Sequence, residues 1–207
     1  MQSTPLNGIY VWSEFQEDRN IDFNGFLWSR EDGNAVFDPM PLDDKGISDV
    51  LDEGGAEWIF VTSAEHMRAS APIGDRIQAE LWAHGAERER FGDEAGRIEE
   101  WFEENDDLPI SIRDDIEFHP IRGGKSPIEP CFYLKPLQAL YFGDIVRTGP
   151  DGALMLLPDP KLTDRAAVIE SLRALAELPL QAVLVGDGAS VFDDAQAKFA
   201  ELLAKLS

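Results

Sequence analysis

The stretch FVTSAEHMR, Phe60 to Arg68, places Ser63, Glu65, His66 and Arg68 directly after EWIFVT, a run of buried-strand type. A hydroxyl, a carboxylate, an imidazole and a guanidinium so close together are the raw material of acid–base, nucleophilic or metal chemistry. A serine nucleophile needs a base within hydrogen-bond reach, and no recognisable histidine arrangement accompanies Ser63. His66 either orients the loop or contacts a ligand. Three more candidates each carry a plain alternative. Lys125 sits in the turn-like RGGKSP, Asp144 in YFGD reads also as a turn cap, and Asp187 in LVGDG reads also as a helix cap. Asp38, in front of Pro39, reads as a structural strand-end residue. His84 and His119 lie in or near strand-like runs and read as surface or packing residues, and Cys131 as a small core residue.

These residues need elements to hold them. GIYVWSEF and DFNGFLWSRE are strand-like in their aromatic and β-branched content. Asp32-Gly33 predicts a hairpin, with AVFD as the return strand. Asp43 or Asp44 is expected to cap a helix carrying Ile47, Val50 and Leu51, which Gly54-Gly55 ends. EWIFVT follows as a strand, then the polar loop, a helix near Pro72 to Ala79, and AELWAH as a further strand. In the acidic segment from Glu87 to Asp107, Ile98, Trp101 and Phe102 predict a narrow apolar stripe on a short helix whose glutamates face solvent. ISIRDDIEFHPI reads as one or two strands. EPCFYLKPLQALYFGD reads as a second hairpin ending at Asp144, and GALMLLPDP as a long connection. Thr163 or Asp164 starts a helix with Val168, Ile169, Leu172, Leu175 and Ala176 at helical spacing. QAVLVGDG is a buried-type strand, and a last helix carries Ala195, Phe199, Leu202, Leu203 and Leu206. The order hairpin, acid, helix, strand, polar loop, helix thus occurs twice. Two such halves predict sheets packed together with helices outside: an α/β fold of four layers in one domain spanning residues 1–207.

Composition limits what the chain does. Its 207 residues are 43% hydrophobic, enough for a sizeable core, and 18 basic against 40 acidic residues give a formal charge of −22. Such a surface repels phosphate backbones and anionic lipids, so neither nucleic acid nor membrane is an expected partner. One cysteine rules out an internal disulfide and a cysteine-based zinc site. With no signal-peptide pattern at MQSTPLNGIY and no long apolar run, a cytoplasmic location is expected.

The residues carry a resemblance. A hairpin ending in FDP, a strand ending in VT before the loop, GGKSPIE before FYL, YFGD, and LVGDG stand in the order of corresponding motifs in the metallo-β-lactamase superfamily. The resemblance spans roughly Gly8 to the C-terminus and implies an αββα sandwich. In that family the loop after the threonine reads His-x-His-x-Asp-His. Here the resemblance puts Ser63, Glu65, Met67 and Arg68 at those four positions, Lys125 at the later ligand histidine, and Asp187 at the final one. Asp144 matches the bridging aspartate, and His66 falls where the family is variable. Two cations standing at former histidine positions imply an ion-pair network in place of the metal, with Glu65, Asp144 and Asp187 as its anions.

Three functions follow from this. The first is a pseudoenzyme, without cofactor, whose scaffold binds a small molecule or a protein, as a monomer or homodimer. The second is an active hydrolase of esters, thioesters or phosphodiesters with a divalent metal ion on Glu65, Asp144 and Asp187. The third is a structural or assembly protein.

Overall fold

The computed structural model describes residues 1–206, which fall into two compact units, Met1–Asp114 and Asp115–Ser207. The first unit is built on a seven-stranded sheet. Its strands are β1 (Gln2–Ser3), β2 (Ile9–Gln16), β3 (Ile21–Trp28), β4 (Ala35–Phe37), β5 (Trp58–Val61), β6 (Glu80–His84) and β7 (Glu100–Phe102), paired in that order. The first four run antiparallel through hairpins. β4 to β7 run parallel, because a helix or a long segment separates each from the next.

Helix α1 (Asp44–Asp52) begins where the Asp43 side chain accepts the Gly46 amide at 2.8 Å. It ends where Gly54 and Gly55 take positive φ values that other residues rarely adopt. Helix α2 (Ser70–Ile77) closes on Gln78 in the left-handed region. Both helices pack on one side of the sheet, with Ile47, Val50, Ile73 and Ile77 against Leu27, Val36, Ile59 and Leu81. All four residues of β5 are buried, the pattern of a strand covered on both faces. Leu51, expected on the apolar stripe of α1, is half exposed instead.

The acidic segment departs from expectation. Trp101 and Phe102 belong to strand β7, paired in parallel with β6, and not to a helix. The short helix α3 (Arg88–Phe91) lies before them, flanked by 3-10 turns. A three-residue strand is too short for alternation to reveal it, and the neighbouring strand decided its conformation.

The second unit carries a four-stranded sheet in the order β13-β10-β9-β8 and a two-stranded one. Its strands are β8 (Ile116–Arg122), β9 (Ile128–Leu134), β10 (Ala139–Phe142), β11 (Val146–Thr148), β12 (Leu154–Leu156) and β13 (Ala182–Val185). The stretch expected to be only a long connection therefore contains β12, which pairs with β11. Helix α4 (Arg165–Arg173) is capped by Asp164, whose carboxylate accepts the amides of Ala166 and Ala167 at 3.0 and 3.1 Å. Helix α5 (Ala195–Lys205) buries Ala195, Phe199 and Leu202. These helices share a core with Cys131, Leu140, Phe142, Val183 and Val185.

Each unit uses the same device. A hairpin's return strand, β4 or β10, lies parallel to the strand that follows the first helix, β5 or β13. Each such pair delivers two strand ends to one edge. Ser63, Glu65, His66 and Arg68 follow β5, Asp144 follows β10 and Asp187 follows β13, whereas Lys125 lies in the turn between β8 and β9. No helix among the described residues is long and apolar enough to cross a membrane.

Candidate functional site

In the first unit the edge is organised by Asp38. The Asp38 amide donates to Phe60 O at 3.1 Å, which extends the β4–β5 pairing by one residue. Its carboxylate is fully buried. Oδ1 accepts the Thr62 amide at 2.8 Å, and Oδ2 accepts the Thr62 hydroxyl at 2.6 Å. Oδ2 also lies 3.0 Å from His66 Nδ1, itself 2.8 Å from Thr62 Oγ1. Desolvation is the largest influence on this carboxylate and pushes its pKa upward. The opposing effects of His66, Arg68 and the Thr62 hydroxyl together outweigh it, so the group is held below the ordinary carboxylate range. Asp38 and Arg68 both have left-handed backbones, with φ of 43° and 37°. Such conformations cost energy outside glycine and gather at sites under functional constraint.

The other candidates of this loop point in separate directions. Arg68 packs its guanidinium 4.9 Å from the Phe23 ring centroid and donates to Asn24 O at 3.2 Å and Asp38 O at 3.4 Å. Glu65 leaves half its side chain exposed and lies 3.5 Å from Arg90 Nη2. Ser63 is buried, and its hydroxyl makes no cap bond to the following 3-10 turn. Behind the loop, buried Glu87 accepts the Ala64 amide at 3.1 Å and pairs with Arg90 Nε at 3.3 Å through the same oxygen. Glu87 thereby ties the loop to the start of α3. It lies in the acidic segment, among glutamates that the sequence gives no means of telling apart.

In the second unit the corresponding edge holds Asp144 and Asp187, each one glycine beyond a strand. Gly186 is required there, since a Cβ on it would collide with the Gly143 carbonyl oxygen. That contact lets β10 and β13 end side by side, with Gly186 N donating to Phe142 O at 2.8 Å. Both carboxylates are buried, and they bring oxygens within 4.8 Å of one another. Lys125 donates its ammonium to Asp144 Oδ2, with the lysine side chain 17% and the aspartate side chain 7% exposed. The Lys125 amide donates to Glu129 Oε1 at 3.1 Å, which fixes the turn that delivers the side chain. Asp144 and Asp187 are close enough to share a cation, and an ammonium already occupies the first of them.

The remaining titratable candidates stand apart. His84 is buried, accepts the Ala86 amide at 3.1 Å and meets Phe102 edge-on. His119 lies 3.3 Å from Glu117, and burial lowers its pKa. Burial pushes the Cys131 thiol well above its ordinary value, which suits a core residue and not a nucleophile.

A model of the metallo-β-lactamase superfamily matches residues 1–206. The chain belongs to the metallo-β-lactamase superfamily. No curated protein is a significant sequence match to it. Solved structures share its fold at low identity. The metallo-β-lactamase from Erythrobacter litoralis, with β-mercaptoethanol in its active site, is 15% identical, with 98% of this chain and 95% of that one covered and a TM-score of 0.72. The metallo-β-lactamase FIM-1 from Pseudomonas aeruginosa, in its mono-zinc form, is 15% identical over 99% and 95% of the two chains, with a TM-score of 0.73. The enzyme from Pontibacter korlensis is 12% identical over 98% and 97%, with a TM-score of 0.74. The fold is the mixed α/β fold of these enzymes.

Proposed function

We propose that this chain is a superfamily member that has lost zinc-dependent hydrolysis and keeps the scaffold for binding a small molecule or a protein. The observation that carries this reading is the ion pair of Lys125 with Asp144. A hydrolytic zinc centre needs about three protein ligands per ion and an open position for water, with imidazole preferred among nitrogen donors. The residues at the family's ligand positions do not fit that need. A protonated lysine has three donors and no acceptor. Arg68 is a fixed cation, Ser63 is a poor zinc ligand, and Glu65 turns toward Arg90. The lysine supplies the charge that a buried aspartate requires. A formal charge of −22 disfavours nucleic acid and anionic lipid as partners.

Metal analysis of protein purified without chelator or added zinc tests the reading. Sub-stoichiometric metal is expected, and near-stoichiometric zinc, iron or manganese would overturn it.

A second reading rests on the approach of Asp144 to Asp187 within 4.8 Å. Two carboxylates at that separation suit a divalent cation, and oxygen donors favour magnesium, calcium or manganese over zinc. That reading expects thermal stabilisation by one of these ions, lost in Asp144→Asn, together with ester, thioester or phosphodiester turnover that needs the ion.

A further inference from the structure

We propose that Asn7-Gly8 is a site of spontaneous backbone modification in the native protein, where the asparagine converts through a cyclic imide to aspartate and isoaspartate. This chemistry is independent of the metal site, and it holds for an active hydrolase as for a binding scaffold.

The chain contains two Asn-Gly pairs, Asn7-Gly8 and Asn24-Gly25. Ring closure needs a side-chain amide that nothing holds, a following backbone nitrogen that donates to nothing, and a backbone able to bring the two together. Glycine in second place helps, because no Cβ obstructs the approach. Asn7 is exposed, and among the described residues neither its side chain nor the Gly8 amide has a hydrogen-bond partner. Both lie in a turn closed by one bond, from Ile9 N to Leu6 O at 3.2 Å. Asn24 fails each condition. It is 4% exposed, its Oδ1 accepts the Ser13 hydroxyl at 2.6 Å, and it lies within β3, opposite Ser13 of β2.

The fold requires glycine at position 8 and asks nothing of position 7. Gly8 is the third residue of the turn with φ of 79°, the value a type II turn demands there, and a Cβ on it would stand 2.8 Å from Ser29 O. Around it, Thr4 N donates to Ile9 O at 3.0 Å and Ser29 N to Gly8 O at 2.7 Å. These bonds set the entry of β1 and the start of β2. Isoaspartate carries the chain through its side-chain carboxyl, so an extra carbon enters the backbone at this point, along with a new negative charge.

The step balances with water as the only co-reactant. The Gly8 nitrogen bonds Asn7 Cγ and loses its proton, and the side-chain nitrogen leaves as ammonia. Water then opens the imide at either carbonyl, giving aspartate or isoaspartate.

The test incubates the folded full chain at mildly alkaline pH and maps its peptides by mass. The Asn7 peptide should gain the mass difference between amide and acid, and should accept methyl groups from a protein isoaspartyl methyltransferase. Asn24 should convert at least about tenfold more slowly, because its reaction waits on opening of the sheet. In urea the two rates should converge. Asn7→Gln should remove both signals from its peptide. The exposed Asp32-Gly33 and Asp151-Gly152 isomerise without a change of mass, so they do not mimic the result. No conversion of Asn7 in the folded chain while urea permits it, or native conversion of Asn24 as fast as Asn7, overturns the proposal. A second readout compares the isoaspartyl fraction with Asn7→Asp, which carries the charge without the extra carbon. The Thr4 and Ile9 amides should exchange hydrogen about 2- to 10-fold faster in the isoaspartyl form, the effect of losing one hydrogen bond. Equal exchange in the two forms overturns the assignment of the turn as the part that isoaspartate disturbs.

Discussion

The ammonium of Lys125 bonds the carboxylate of Asp144, and neither side chain has more than a fifth of its surface open to solvent. Removing one partner of such a pair leaves a buried charge uncompensated. Lys125→Ala should therefore destabilise the protein by about 3 kcal/mol, read from urea unfolding. Millimolar magnesium or manganese should recover part of that loss in the variant and leave wild type unchanged. Equal unfolding midpoints for variant and wild type would show that Asp144 does not depend on the lysine.

Asp38 gives the fold a defined response to acid. Its folded-state pKa lies below the ordinary value. The stability it contributes is thus complete above an unfolded pKa of about 3.9, and is lost as pH falls through the lower, folded value. Asp38→Asn should cost about 3 kcal/mol at neutral pH and flatten the stability profile below pH ~4. A profile in that acid range identical to wild type would contradict the buried pairing with His66.

The contact of Gly186 with Gly143 makes a steric prediction. Gly186→Ala forces a methyl group against a carbonyl oxygen where β10 and β13 end. A loss of about 1–3 kcal/mol is expected from overpacking, seen as a lower Tm. Gly96, whose added Cβ would meet nothing within 4 Å, is the control, and Gly96→Ala should leave Tm near wild type.

Arg90 separates a structural ion pair from a surface one. Glu87 is 1% exposed and Arg90 36%, so Arg90→Ala should cost on the order of 1 kcal/mol after allowance for solvent screening. Arg76, paired with an Asp44 that is 99% exposed, should be silent on substitution to alanine. Urea denaturation of both variants checks the contrast.

Most of the fold was legible because local signals agreed with the tertiary outcome. The glycines after α1 and the continuous apolar runs of β5 and β13 each had one reading, and the caps at Asp43 and Asp164 were narrowed to two neighbouring residues each. Strand β7 was illegible because three residues carry no period and their pairing with β6 is a tertiary fact. The site was legible in part. Lys125 and Asp144 are 19 residues apart, and it was the family resemblance, which set both at former metal-ligand positions, that suggested they meet. The bond between Asp38 and His66 spans 28 residues and depends on the β4–β5 register, which no local pattern encodes. The direction of Glu65 depends on Arg90, whose place no local pattern fixes.

The sole sulfhydryl of this chain, on Cys131, sits at 0% exposure in the middle of the second unit's sheet. A maleimide dye should therefore find nothing to modify in the native molecule, and a cysteine introduced at any surface position becomes a background-free attachment point. Slow labelling of the wild type then serves as a clock for the opening of the core around β9.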